Sequence, residues 1–304
     1  MRVLFIFIDG IGLGRHDPAI NPLVRFGLHS IASGFGGALT EELGAVLVSD
    51  CAMVPIDTTL GVEGLPQSAT GQAAILTGLN TAKIMGRHIQ AFPGPELSKI
   101  ITDNNFMKEL VEDGLTATSA NLYLPDYFEL VARRKRRHSA ITLAALSTGM
   151  SLRSLPEIDR GQAVYQDITN EMLGSFGVDI PPVTPRQAAH NLIAISQSNA
   201  FTIFEYFQTD RAGHKQDWHY AQRILHILDE FIGAVRELLP ADTLLLITSD
   251  HGNFEDMGVK THTVNKVPFI AIGAGAQKMA EGINNLSDIA PAILAVLRKD
   301  DLRD

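Results

Sequence analysis

The chain has 304 residues, 45% of them hydrophobic and 19% charged, with a net charge of −9 and a single cysteine, Cys51. That composition fits one large globular domain, or one domain with an insertion, and excludes a disordered chain. The acidic balance argues against a broad nucleic-acid footprint. The lone cysteine excludes an internal disulfide framework, and the early apolar run is too short for a signal peptide or a membrane span, so a cytoplasmic protein with no membrane partner is expected.

The first strand is expected at residues 3–9, where an apolar run from Val3 to Ile8 ends in Asp9. Glycines follow at 10, 12 and 14, but the dinucleotide fingerprint needs a further glycine at 15, and Arg15 stands there. The strand is therefore read as delivering a carboxylate, a metal ligand, rather than a pyrophosphate loop. Helical spacing of apolar residues follows over 69–82 and 104–114, with a weaker strand at 116–121. Helices are expected again over 184–198 and 219–239, strands over 201–210, 243–250 and 267–273, and a closing helix over 285–299 capped by Ser287. Strands alternating with helices predict an α/β fold, a three-layer αβα sandwich around a mostly parallel sheet. Such sheets gather ligands at the carboxyl ends of their strands, which is where Asp9, Asp210 and Asp250 are expected.

Residues 122–183 break the alternation with prolines, glycines and the basic run RRKRR at 133–137. They are read as a small inserted cap. Residues 1–121 and 184–304 then form a discontinuous metal-binding core.

Five stretches carry the chemistry: Asp9, LPQSATGQAAILTG (65–78), TDRAGH (209–214), SDHGN (249–253) and KTHTVNKVPF (260–269). Asp210 and His214 are four apart and share one side if the chain turns helically. Asp250 and His251 are adjacent, and His262 follows in a loop. Mixed carboxylate and imidazole ligands suit zinc or manganese, with magnesium a third option. Three aspartates and three histidines are too many for one four-coordinate ion, so two divalent metals is the economical count. Ser68 has two readings, as the cap of a helix or as a nucleophile at its positive end.

These stretches resemble the alkaline phosphatase superfamily of metalloenzymes, and within it the cofactor-independent phosphoglycerate mutase and phosphopentomutase branch. DHGN followed by HT-x-N-x-VPF carries most of the likeness. The resemblance implies one metal held by Asp210, His214 and His262, and another held by Asp9, Ser68, Asp250 and His251. It places the nucleophile three residues before Gly71, at Ser68, with Thr70 the fallback if the register slips. Two departures stand out: Gln72 occupies a position where these mutases usually have histidine, and their cap is far larger than residues 122–183.

The implied function is two-metal-dependent phosphoryl transfer on a small phosphorylated metabolite, as a phosphomonoesterase (a hydrolase) or a phosphomutase (an isomerase), through a phosphoserine. The alternatives are a hydrolase of another ester, such as a phosphodiester or phosphonate, and a metal-binding module without catalysis. Two dications would balance three aspartates and an ionised serine, so a phosphate substrate needs further cations. Arg87, Arg211, Lys266 and the 133–137 run are the candidates. His88 is expected to be structural or to hold a ligand-contacting residue in place, and Asn253 to orient a ligand or make a turn.

Overall fold

The computed structural model describes residues 1–298, and Lys299, the last residue of the expected closing helix, lies outside them. Seven strands form one sheet in the order β2-β3-β7-β6-β1-β5-β4. They are β1 (Arg2–Ile8), β2 (Val46–Val48), β3 (Cys51–Ile56), β4 (Ala117–Ser119), β5 (Phe201–Tyr206), β6 (Thr243–Thr248) and β7 (Val267–Ile272). The four strands β6-β1-β5-β4 are parallel, while β7, β3 and β2 extend the sheet through antiparallel ladders.

Strands β1, β5, β6 and β7 are almost wholly buried, as expected of strands covered by helices on both faces. Five helices frame the site: α1 (Ser68–Thr77), α2 (Ala140–Ser147), α3 (Pro185–Gln197), α4 (Gln208–Lys215) and α5 (Trp218–Leu238). One core layer packs Phe5, Phe7, Phe201, Ile203 and Leu246 against α1, α2 and the closing helix Ile289–Arg298. The other packs Leu4, Ile6, Phe204, Leu245 and Ile247 against α3 and α5. The three-layer α/β sandwich read from the sequence is thus the observed fold.

Three sequence expectations need correction. The strand expected over 201–210 stops at Tyr206, and Asp210 stands in the first turn of α4 instead. The closing helix is preceded by a 3₁₀ turn capped by Asn285, to which the Ser287 hydroxyl donates. The β2–β3 hairpin was not anticipated. Pro55 lies inside β3, opposite Pro268 of β7, and a proline within an apolar run argues against a strand.

Within 122–183, α2 contributes Ile141, Ala144 and Ala145 to the main core. A separate small cluster gathers Leu122, Ile158, Ala163, Tyr165 and Leu173. This segment stands beside the carboxyl ends of the parallel strands, where it lines a cavity described below.

Candidate metal centre and active site

Asp9 follows β1 directly, and its backbone N–H donates to the Tyr206 carbonyl at the end of β5. Asp250 and His251 follow β6, the other neighbour of β1. The three parallel strands β5, β1 and β6 therefore deliver Asp210, Asp9 and Asp250 to one edge of the sheet. Glycine permits the close approach of α1 to this edge: a Cβ at Gly71 would lie 2.9 Å from Cβ of Asp250.

Ser68 is the first residue of α1, not its cap; Gln67 occupies the cap position. The Ser68 hydroxyl instead lies 2.9 Å from Nε2 of His251. That same nitrogen is 3.4 Å from Oδ1 of Asp9 and 3.6 Å from Oδ2 of Asp250. Thr70 is spent on structure, donating to the Gln67 carbonyl and accepting from the Ile89 N–H. Gln72 donates to Oδ2 of Asp250 at 3.4 Å.

Beside this group stand Asp210, His214 and His262. Nδ1 of His214 meets the Lys260 carbonyl at 2.8 Å, and Nδ1 of His262 meets the Pro66 carbonyl at 2.8 Å. A carbonyl only accepts, so each ring in its neutral form carries its proton on Nδ1. The two Nε2 lone pairs then face each other at 3.2 Å, with Asp210 oxygens 3.4 Å from one and 3.6 Å from the other. Two acceptors and a carboxylate so close repel one another unless a cation sits among them.

The donor set fits a metal by a second measure. Oδ1 of Asp9, Oδ1 of Asp250 and Nδ1 of His251 are buried and find no hydrogen-bond partner. Orphaned buried polar atoms are costly and uncommon, and ion coordination is one explanation for them. Two clusters of possible ligands emerge, Asp9–Asp250–His251 and Asp210–His251–His262, the ligand atoms in each lying within 4.8 Å of one another. His251 belongs to both, because its ring stacks on His262 with centroids 3.6 Å apart. This differs from the division implied by the resemblance, in which His251 serves one ion. His214 is the most exposed of the set.

Electrostatics follow from burial. Desolvation first, and then the Asp250 and Asp210 charges, push Asp9 well above the usual carboxylate range. Asp250 is pushed up to about 8, by burial and then by Asp210. Burial pushes His251 and His262 down, so both rings are neutral and able to ligate.

Sequence reasoning missed the residue that organises the loops. Glu255 is fully buried and accepts from the N–H groups of Gly12 and Asn253 and from the side chains of Thr263 and Asn265. It ties the loops after β1 and β6 to the one before β7. A Cβ on Gly12 would come within 2.4 Å of Oε1 of Glu255, which explains a glycine there without any nucleotide. Asn253, in turn, donates to Oδ1 of Asp210 at 2.7 Å.

A cavity of about 850 Å³ opens over the site, lined by Asp9, Ser68, Asp210, His214 and His262 on one side. Arg211 lines it, as do Arg136 and Arg137 from the basic run and Lys260. Arg87 and Lys266 do not. Arg87 leaves an exposed turn after the helix Thr81–Met85, and the Lys266 side chain is exposed just before β7. The His88 ring meets the Val62 carbonyl at 3.3 Å.

The sequence profile of the Metalloenzyme superfamily matches residues 178–301. The likeness to that superfamily thus spans 124 of the 304 residues. Two relatives are named 2,3-bisphosphoglycerate-independent phosphoglycerate mutase. The protein from Acetivibrio thermocellus is 37% identical over 150 residues, covering 45% of this chain and 29% of that one. The protein from Vibrio cholerae is 36% identical over 126 residues, covering 38% and 24%. The chain thus matches only about a quarter to a third of these mutases' length. An alkaline phosphatase from the Antarctic bacterium TAB5 superposes with a TM-score of 0.53 at 15% identity, covering 98% of this chain and 97% of that one. A phosphoglycerate mutase from Leishmania mexicana gives 0.50 at 10% identity, covering 97% and 95%. The structural likenesses show an alkaline-phosphatase-like fold, and within it stand two groups of residues suited to divalent metal.

Proposed function

We propose that this protein is a two-metal phosphoryl-transfer enzyme acting on phosphate monoesters, with Ser68 as nucleophile. The observation that carries the reading is the placement of the Ser68 hydroxyl 2.9 Å from His251, among Asp9 and Asp250, on the cavity floor. Asp9, Asp250, His251 and Ser68 would hold one divalent ion, and Asp210, His214 and His262 the other, with His251 at their boundary. Such ions supply Lewis-acid charge that favours the serine alkoxide and the negative phosphoryl oxygens.

The chain's own residues do the rest. Ser68 stands at the positive end of α1, whose first turn carries no acidic residue. Its oxygen attacks phosphorus in line, the bond to the ester oxygen breaks, and an alcohol departs as phosphoserine forms. Water or a second hydroxyl then takes the phosphoryl group, giving a phosphatase or a mutase respectively. Arg211, on the exposed side of the cavity, is suited to the outer phosphoryl oxygens. Residues 122–183 act as the cap that decides between the two outcomes by controlling water. Among the described residues no helix is long and apolar enough to cross a membrane, and we place the enzyme in the cytoplasm with a phosphorylated small molecule as its partner.

Trapping tests this directly. Metal-loaded protein quenched in acid during turnover of a phosphate ester should carry one phosphoryl group, mapped to Ser68 by mass spectrometry. Turnover with phosphate found on another residue, or on none, would overturn the assignment.

A further inference from the structure

The cavity is far larger and more apolar than a short phosphorylated acid requires. At about 850 Å³ it stands in the upper part of the roughly 300–1,000 Å³ typical of sites for drug-sized ligands. Its lining includes six aromatic rings: Phe92, Tyr123, Tyr127, Tyr165, Phe176 and Phe207. The hydroxyls of the three tyrosines are engaged by the protein itself. Tyr123 pairs with Thr142 at 2.9 Å, Tyr127 with Nδ1 of His138 at 2.6 Å, and Tyr165 accepts from Gln166 at 3.1 Å. Each hydroxyl thus already has a partner within the protein, and the rings add a broad apolar face to a lining that also includes Asn121, Gln90 and Gln166.

Two further observations point the same way. Phe176 and Leu65 line the cavity yet are 52% and 38% exposed, so apolar surface continues to its mouth. Exposed apolar surface contiguous with a cleft marks a binding site. Arg136 and Arg137 line the cavity with no carboxylate partner among the described residues, and each sits against a ring: Arg136 5.1 Å from the Tyr127 centroid, Arg137 5.8 Å from that of Phe92. Guanidinium planes and ring faces both stack on aromatic ligands.

Resting on the phosphoryl-transfer reading of the Ser68 site, we propose that the substrate is a phosphate monoester with a large aromatic body, one or two fused rings, rather than a short polar phosphorylated acid. The phosphate meets the metal centre, and the body fills the ring-lined side.

The test compares 2-(1-naphthyl)ethyl phosphate with glycerol 1-phosphate and 3-phosphoglycerate on the zinc-loaded protein. The naphthyl ester and glycerol 1-phosphate are phosphates of primary alkanols, so leaving-group chemistry does not favour the ring compound. The naphthyl ester should have a kcat/KM at least about 30-fold higher and bind at least about tenfold more tightly in a competition titration, as burial of two rings implies. The variant Phe176→Ala alters an exposed side chain, so its fold should hold, and it should reduce that preference several-fold. Equal affinities, or preference for 3-phosphoglycerate, would overturn the inference and leave the phosphoryl-transfer reading standing. Tight, selective naphthyl binding without turnover of any ester would sink the phosphoryl-transfer reading and keep the pocket assignment.

Discussion

Nε2 of His214 and Nε2 of His262 face each other at 3.2 Å, each ring holding its proton on the far nitrogen against a carbonyl. The pair is repulsive alone and favourable around a cation. Stripping the protein with a chelator should therefore lower its Tm, and adding zinc or manganese should restore it. Ion at about a hundredfold over its Kd adds roughly 2.7 kcal/mol. Calorimetry with and without metal checks this, and an unchanged Tm would count against the centre.

Removing one charge from the floor should have opposite signs in the two states. Asp250 is fully buried beside Asp9 and Asp210, and one of its oxygens has no partner. Asp250→Asn removes a carboxyl that must either bury its charge or be held protonated, so the metal-free variant should melt above metal-free wild type. It also deletes a ligand, so added zinc should stabilise it much less. A variant less stable than wild type in both states would refute this account.

Ser68→Ala should abolish turnover, by at least about a thousandfold, while leaving Tm close to wild type; Asp9, Asp250 and His251 remain to hold the ion that Ser68 would also touch, so metal content should fall far less than activity. Thr70→Ala should retain most activity, since the Thr70 hydroxyl serves the backbone around α1. Kinetics on both variants, with metal analysis, decide between the two residues.

Glu205 gives a pH dependence of its own. Glu205 is 9% exposed and lines the cavity, its carboxyl has no hydrogen-bond partner among the described residues, and burial pushes it up to about 7. The folded state therefore binds the proton more tightly than the unfolded chain. The stability this confers is complete below the ordinary glutamate range and is lost as pH rises through about 7. The loss is on the order of 3 kcal/mol between pH 5 and 8. Glu205→Gln removes the titrating group, so the variant's Tm relative to wild type should climb across that window. A constant difference would contradict it.

Gly12→Ala should be destabilising by roughly 1–3 kcal/mol, because the new methyl displaces the Glu255 carboxylate from its buried donors. Denaturant unfolding measures the loss, and metal affinity should weaken with it as the three loops separate.

Much of this was legible in the sequence for one reason: apolar runs ending in Asp9 and Asp250 announce buried strands and their tips. The histidines were legible because imidazoles beside acids in loops are uncommon. Other features were hidden by context. Glu255 follows SDHGN by two residues and, in the linear chain, looks like any surface acid; only folding shows four donors aimed at it. Glu205 lies inside an apolar strand, where its neighbours masked it. Arg136 and Arg137 could not be told from Arg133, Arg134 and Lys135 without the turn that carries two of the five to the cavity.

The partners of β1 impose an order of events on biosynthesis. Val3 pairs with Phe201 on one side and Leu244 on the other. At about 5–20 residues per second, a ribosome needs roughly ten to fifty seconds to make both neighbours. Throughout that interval the uncharged segment Val3–Ile8 has no permanent strand to join, and such segments are prone to sticking to their own kind. The strand that eventually lies between β6 and β5 is thus open to misassociation for most of the chain's synthesis.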